Sequence, residues 1–425
     1  MGWNRRYALR SYVRSALWII PLGAYLAAML ALRALNLLDE YLGWTWYWKL
    51  ELGAAQSALV TIIGATLSFV VFTFSSLLVA IQVASAQLTP RIIATTLLRD
   101  NAIRAVVTLL FLTFAFNFGV LARTQTTIPY LLLTIAVVLG CSSIAAFIFL
   151  IDYAARLLRP VTIVWLIGEK GLAVIEEVYP SSAKDPLVST PTRTVVGRPD
   201  RTIKHRGRTG IILATDLSAL LAEAERTNGV IEFALRIGDF SAVGEPLFFL
   251  YGGAASADEQ RLRETVALGR ERTIEQDATF AFRIIVDIAI KALSKAINDP
   301  TTAVLSIDQL HRMLRVVGRR HLHDDVLRDA SGEVRVVFRT PNWEDFVQLA
   351  CREIRIYGAE NFQVARRLRA MLEDLLKILP ESRRPALREE LELLDWSLEQ
   401  LKFEPRDLAL ARTPDLQGLG GSLRA

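Results

Sequence analysis

Two clusters of ionisable and hydrogen-bonding side chains interrupt an apolar stretch late in the chain. The first is Arg270, Arg272, Thr273, Gln276 and Asp277; the second is Asn298, Asp299, Pro300, Thr301 and Thr302. Buried guanidinium, amide and carboxylate groups need partners, so the two knots together could form a ligand or interface site. The second also suits a tight interhelical turn, because Asp299 followed by Pro300 supplies an N-cap and a proline at the first helical position. No spacing among Asp277, Asp287 and Asp299 demands a metal ion. His321, His323, Asp324 and Asp325 lack a second ligand cluster and read as a solvated loop. We therefore expect no metal, cofactor or catalytic residue.

A third set lies in an early apolar run. Ser57, Thr61, Gly64, Ser68, Ser75 and Gln82 recur at three, four and seven residues, which puts them on one face of a helix. Two readings stand: close helix packing through small residues, or the lining of a wet path at the centre of a homo-oligomer. Arg91 and Arg99 would form the cytoplasmic mouth of such a path. Asn117, Ser142 and Ser143 could be interhelical glue or part of a polar route, and glue is the simpler reading.

The elements that must position these residues lie in two solvents. The chain is 52% hydrophobic with a mean hydropathy of +0.32, and its long uncharged runs end near Ile151. Four segments, Ala16 to Leu35, Ala54 to Gln82, Ala105 to Leu121 and Ile128 to Ile151, are long enough to cross a bilayer core, which takes roughly 20 helical residues. The second would run roughly 43 Å, so it must tilt, kink or project. Arg5, Arg6, Arg10 and Arg14, then Arg91, Arg99 and Arg104, then Arg156 and Arg159 flank the spans in the pattern of cytoplasmic loops. This predicts a multi-pass protein of the bacterial inner membrane with both termini cytoplasmic. Trp44, Trp46, Tyr47 and Trp48 between the first two spans read as an interfacial anchor. The basic MGWNRRYALRSYVRS start lacks a following cleavage site and reads as the flank of a retained span.

The net charge of +5 and pI near 9.2 come without any nucleic-acid-binding motif. The expected partners are the bilayer, further copies of the chain, and a small ion or small-molecule ligand. Cys141 and Cys351 are placed for no disulfide. The expected fold is an α-helical membrane domain of about four transmembrane helices over residues 1–160, followed by a cytoplasmic α+β region. That region is read as a connecting segment and linker (161–208), a small β-rich module (209–256), a mainly helical domain (257–408) and a disordered tail (409–425). Within the module, RIGDFSAVGEPLFFL has the spacing of a barrel-sandwich hairpin, with turns at Gly238-Asp239 and Gly244-Glu245-Pro246.

FTFSSLLVAIQVASAQLTPR, TGIILATD, RIGDFSAVGEPL, GRERTIEQD and ALSKAINDPTTA resemble segments of a family of bacterial predicted membrane proteins, domain of unknown function 2254. The likeness runs from the first span to about residue 318. It implies the membrane topology and assigns no activity. The chain departs from the family pattern at Thr89, where serine is usual, at Lys295, where proline is usual, and at Asp152 and Tyr153, where paired histidines are usual. The last departure weighs against a histidine-based role there.

No phosphate loop, dinucleotide-binding glycine pattern, nucleophile elbow or zincin motif is present, which argues against an enzyme. A homo-oligomeric channel for small ions with a cytoplasmic regulatory domain fits the long second span and its basic mouth. A membrane-anchored sensor or scaffold, binding a ligand or protein through the cytoplasmic knots, is the alternative.

Overall fold

The computed structural model describes residues 2–16, 19–42, 50–87, 100–157, 159–181, 197–322 and 325–421. The chain divides into a membrane unit, Ser11–Ala86 with Pro90–Thr162, and an α+β unit formed chiefly by Ile163–Ala425. A polar helix α1 (Trp3–Ser15) precedes four helices of the membrane unit, α2 (Ile19–Leu42), α3 (Leu52–Gln87), α4 (Asn101–Arg123) and α5 (Tyr130–Leu157). All four are long and apolar enough to cross a membrane. The 36 residues of α3 span about 54 Å, well beyond a hydrocarbon core of about 30 Å. The aromatic residues Trp44 to Trp48 lie outside the described residues.

Small residues set the packing of this unit. A Cβ on Gly119 of α4 would sit 2.2 Å from Leu32 Cδ1 on α2, so glycine there lets the two helices meet. Ala28, Leu32, Ala55, Leu59, Phe116 and Val120 form the core around that contact. Asn117 is fully buried and donates to the Thr113 carbonyl (2.9 Å) and, across to α5, the Ala136 carbonyl (3.4 Å). Ser143 donates to the Thr113 hydroxyl, and Ser142 to its own helix at Val138. Asn117 and Ser143 therefore join helices, because an unpaired amide or hydroxyl in this apolar interior would be costly. Asp100 caps α4 through the Ala102 and Ile103 amides and accepts from the Tyr153 hydroxyl at 2.7 Å. Tyr153 thus makes a tyrosine–carboxylate bond, and its neighbour Asp152 pairs with Arg156.

The α+β unit opens with a helix where the sequence reading placed a connection. In α6 (Pro160–Val178), Ile163, Val164, Ile167, Leu172 and Ile175 are buried on one face, and Tyr179 packs edge-on against Phe346, 6.3 Å between ring centres. Residues 182–196 of the expected linker are outside the described residues. Among the described residues eight strands follow: β1 (Arg201–Lys204), β2 (Gly210–Thr215), β3 (Gly229–Phe233), β4 (Phe240–Ser241), β5 (Pro246–Gly252), β6 (Val266–Gly269), β7 (Val326–Arg328) and β8 (Val334–Val337). They form a sheet of order β1-β5-β3-β8-β7 and a smaller one of order β4-β2-β6; β3 and β8 run parallel. Helix α7 (Leu217–Thr227) buries Leu220 and Ala224 in the cluster with Ile212, Ile231, Phe248 and Leu250.

The expected module is thus completed by strands from outside 209–256. Gly238 and Gly244 do turn the chain, at φ +91° and +92°, but β4 pairs with β2 while β5 pairs with β1 and β3. The turn passes the chain from one sheet to the other instead of closing a hairpin.

A short α8 (Glu259–Glu264) leads through β6 to the helical part: α9 (Ala278–Ala292), α10 (Pro300–Val317), α11 (Trp343–Gly358), α12 (Phe362–Ile378), α13 (Arg384–Glu399) and α14 (Pro405–Ala411). Helix α9 is buried along most of its length, from Phe280 to Ala289. After Leu408, where disorder was expected, the described chain to Gly421 takes a defined path. Fully buried Arg366 donates to the carbonyls of Thr413, Gly420 and Gly421, and Asp415 accepts from the Gln417, Gly418 and Gly420 amides. These two side chains supply the partners that a segment poor in apolar residues otherwise lacks. Residues 422–425 are outside the described range.

Candidate ligand cavity in the α+β unit

The first polar knot folds because Asp277 is the N-cap of α9. Its carboxylate accepts from the Phe280 amide (3.1 Å), from the Thr279 hydroxyl and from Arg272 Nε (2.8 Å). Gln276, one residue earlier, accepts from the Thr215 amide at the end of β2 (3.0 Å). Next in the chain, Asp216 caps α7 through the Ala219 amide. The beginnings of α7 and α9 therefore lie side by side, and helix N-termini carry unsatisfied amide donors and partial positive charge.

Beside them is a cavity of about 620 Å³, inside the range of roughly 300–1,000 Å³ usual for small-molecule sites. Leu217, Ile237 and Leu349, backed by the buried Tyr179, Phe233 and Phe338, form its apolar wall, and Arg236, Arg272, Arg283 and Arg339 give it cations. Gly238 makes room for Arg272, since a Cβ there would lie 2.1 Å from Arg272 Nη2. Arg283 is held by Asp287 and Glu353. The Arg236 amide donates to Asp239, and its guanidinium is 3.7 Å from Asp345. Arg339 is exposed and has no ion pair among the described residues. Thr215 is 4% exposed, and its buried hydroxyl has no partner among the described residues. Burial first, and the carboxylates of Asp277 and Asp325 second, push the Tyr179 phenol well above its ordinary range.

The two knots do not assemble. Arg272, Gln276 and Asp277 line the cavity, whereas Arg270 is exposed outside it and the second knot lies beyond the far end of α9. Fifteen helical residues separate the knots by about 22 Å. The second knot is an interhelical turn: Asn298 takes φ +49°, and Asp299 caps α10 through the Thr302 amide, with Pro300 at the first helical position. Asp277, Asp287 and Asp299, weighed as metal ligands, are each committed to a cap or to Arg283. Asp325 accepts from the Thr340 amide and hydroxyl; His323 and Asp324 are outside the described residues.

In the membrane unit, α3 buries Ala55, Leu59, Thr66, Thr73 and Ala80. Its opposite face is the expected one, and Ser57, Thr61, Gly64, Ser68, Ser75 and Gln82 are all exposed. Thr61 and Ser68 donate to carbonyls of their own helix, those of Ser57 and Gly64. Arg91 and Arg99 lie outside the described residues.

Sequence reasoning missed Thr215, Arg236, Arg283 and Arg339 as cavity residues. A signal for two of them was present: TGIILATD ends on Thr215 and Asp216, and RIGDFSAVGEPL begins at Arg236. Together with GRERTIEQD, three of the five segments that carry the family resemblance meet at this cavity.

Comparison with known proteins agrees with that resemblance. Uncharacterised proteins of Mycobacterium bovis and Mycobacterium tuberculosis are each 28% identical over 445 aligned positions, covering 99% of this chain and 82% of theirs. No solved structure matches the chain. The sequence profile described as predicted membrane protein (DUF2254) matches residues 14–374, most of both units, and the chain belongs to that family.

Proposed function

We propose that this membrane protein is a membrane-anchored sensor whose α+β unit takes up a small-molecule ligand in the cavity between the N-termini of α7 and α9. The observation that carries the reading is the cavity itself: about 620 Å³, with arginines, amide donors and apolar walls converging on one space. In this reading the protein sits in the bacterial inner membrane with both termini and the α+β unit cytoplasmic, as the arginines flanking the spans favour. The test is a thermal shift of the detergent-solubilised full chain with a small-molecule extract of the cells that produce it. A rise in melting temperature that is lost when Ser218→Trp fills the cavity supports the proposal. No rise, or an equal rise in the variant, refutes it.

One observation favours a second reading, a homo-oligomeric channel. The small, hydroxylated face of α3 is turned away from the helices of its own chain, so a polar path would be lined only if copies met along it. Single cysteines at Ser68, Ser75 and Gln82, in a chain lacking Cys141 and Cys351, test this. A pore requires that a water-soluble thiol reagent label them and alter conductance in liposomes.

A further inference from the structure

Helix α1 turns apolar side chains outward, which a helix surrounded by water does not do. Its sequence, WNRRYALRSYVRS, carries arginines and no acidic residue. Leu9, Tyr12 and Val13 are 52%, 53% and 40% exposed, although a water-facing helix keeps such residues against its own core. Trp3 and Tyr7, with ring centroids 5.4 Å apart, and Ser11 make the partly buried side. On the outward side the residues fall into two adjacent rows at helical spacing, Arg5, Leu9 and Tyr12 in one and Arg6, Arg10 and Val13 in the other. Each row runs from arginine to apolar side chain. The apolar end is the one that leads into the first span, because α1 ends at Ser15 and α2 begins at Ile19.

The arginines of this face are uncommitted. Arg5, Arg6 and Arg10 are exposed and make no ion pair among the described residues. The last turn of α1 is tied down by Arg104, whose guanidinium donates to the Val13 carbonyl at 3.3 Å. Arg104 stands in the first turn of α4, itself long and apolar enough to cross a membrane. The last turn of α1 therefore lies level with the ends of two spans, where hydrocarbon gives way to headgroups. Apolar side chains at that level can enter the acyl boundary, while arginines one to two turns further out can extend to phosphate oxygens.

We propose that α1 is an interfacial helix that docks on anionic phospholipid of the bilayer the chain spans, with Leu9, Tyr12 and Val13 in the acyl boundary and Arg5, Arg6 and Arg10 on the headgroups. Charge decides the lipid class: a cationic face without a carboxylate is drawn to a negative surface and little to a zwitterionic one. The proposal holds whether or not the cavity takes a ligand.

The experiment places a fluorescent label on Leu9→Cys in the full chain lacking Cys141 and Cys351. The chain is reconstituted in nanodiscs of phosphatidylcholine alone, or of phosphatidylcholine with phosphatidylglycerol, each with lipid that carries a nitroxide quencher below the headgroup. The label should be quenched by the nitroxide lipid and shielded from acrylamide in the aqueous phase, and both effects should be stronger with phosphatidylglycerol. Each of Arg5→Gln, Arg6→Gln and Arg10→Gln should weaken the docked state about fivefold, so the triple variant should lose the preference for phosphatidylglycerol. Lysine at the same three positions should keep it. The glutamine variants break no ion pair and should melt in detergent with the wild type, which separates lost docking from misfolding. Four outcomes overturn the proposal: acrylamide reaches the label equally in both discs, docking is the same with and without phosphatidylglycerol, the triple glutamine variant keeps the full preference, or the label is closed to acrylamide and nitroxide alike, which would put a second chain on this face.

Discussion

Asp277 carries the geometry of the cavity wall, so its replacement tests the structural argument quantitatively. In Asp277→Ala the Phe280 amide loses its cap and Arg272 loses its carboxylate. Loss of an aspartate cap costs about 1 kcal/mol. The ion pair adds less than a fully buried one, because Asp277 is buried but Arg272 is partly exposed; discounted for solvent it contributes up to about 1 kcal/mol. The total of about 2 kcal/mol should lower the melting temperature of a unit this size by about 4–8 °C. Asp277→Asn separates the two contributions: asparagine caps as well as aspartate but carries no charge, so it should cost about half as much or less. Thermal unfolding of the solubilised chain, followed by tryptophan fluorescence, measures both. Equal losses for the two variants would contradict the capping role, and no loss for Asp277→Ala would contradict the arrangement altogether.

Asp299→Ala should cost about 1 kcal/mol through loss of the α10 cap and leave ligand-induced stabilisation intact; unchanged stability with loss of a ligand response would instead make that turn a functional site. His311 predicts a pH dependence. It is held between Asp374, 2.8 Å from Nε2, and Arg367, which donates to Nδ1; burial first, with Arg367 also opposing protonation, lowers its pKa below the ordinary value. The unfolded chain then binds the proton more readily, so His311 contributes stability above about pH 6.5 that is lost as pH falls through its depressed folded value. The stability difference between the wild type and His311→Gln should shrink over that window in melting curves, and a difference that grew on acidification would contradict the buried neutral histidine. For topology, a reporter fused to the C-terminus that is active only in the periplasm would refute the cytoplasmic orientation.

Hydropathy made the four apolar helices legible, because a span declares itself over about 20 residues. The cap at Asp299 was equally plain, since an aspartate–proline pair before an apolar stripe has few alternatives. The polar face of α3 follows from spacing alone, but spacing does not say whether a face is packed against its own chain, and this one is not. The two knots were grouped by residue type, although the helix between them keeps them apart. Arg339, Phe338 and Tyr179 reach the cavity through the pairing of β3 with β8 and the packing of Tyr179 on Phe346, contacts far apart in sequence that local pattern does not encode. The turn in RIGDFSAVGEPL was readable as a turn; that it passes the chain between two sheets depends on which strand each side later meets.

Hydrogen–deuterium exchange of the solubilised full chain, with and without the stabilising extract, tests the ligand cavity most directly. The account predicts slowed exchange confined to the amides of 215–218, 236–239 and 276–279, with the amides of 298–302 unaffected. Protection spread along α3, or centred on 298–302 and absent from the cavity, would contradict it.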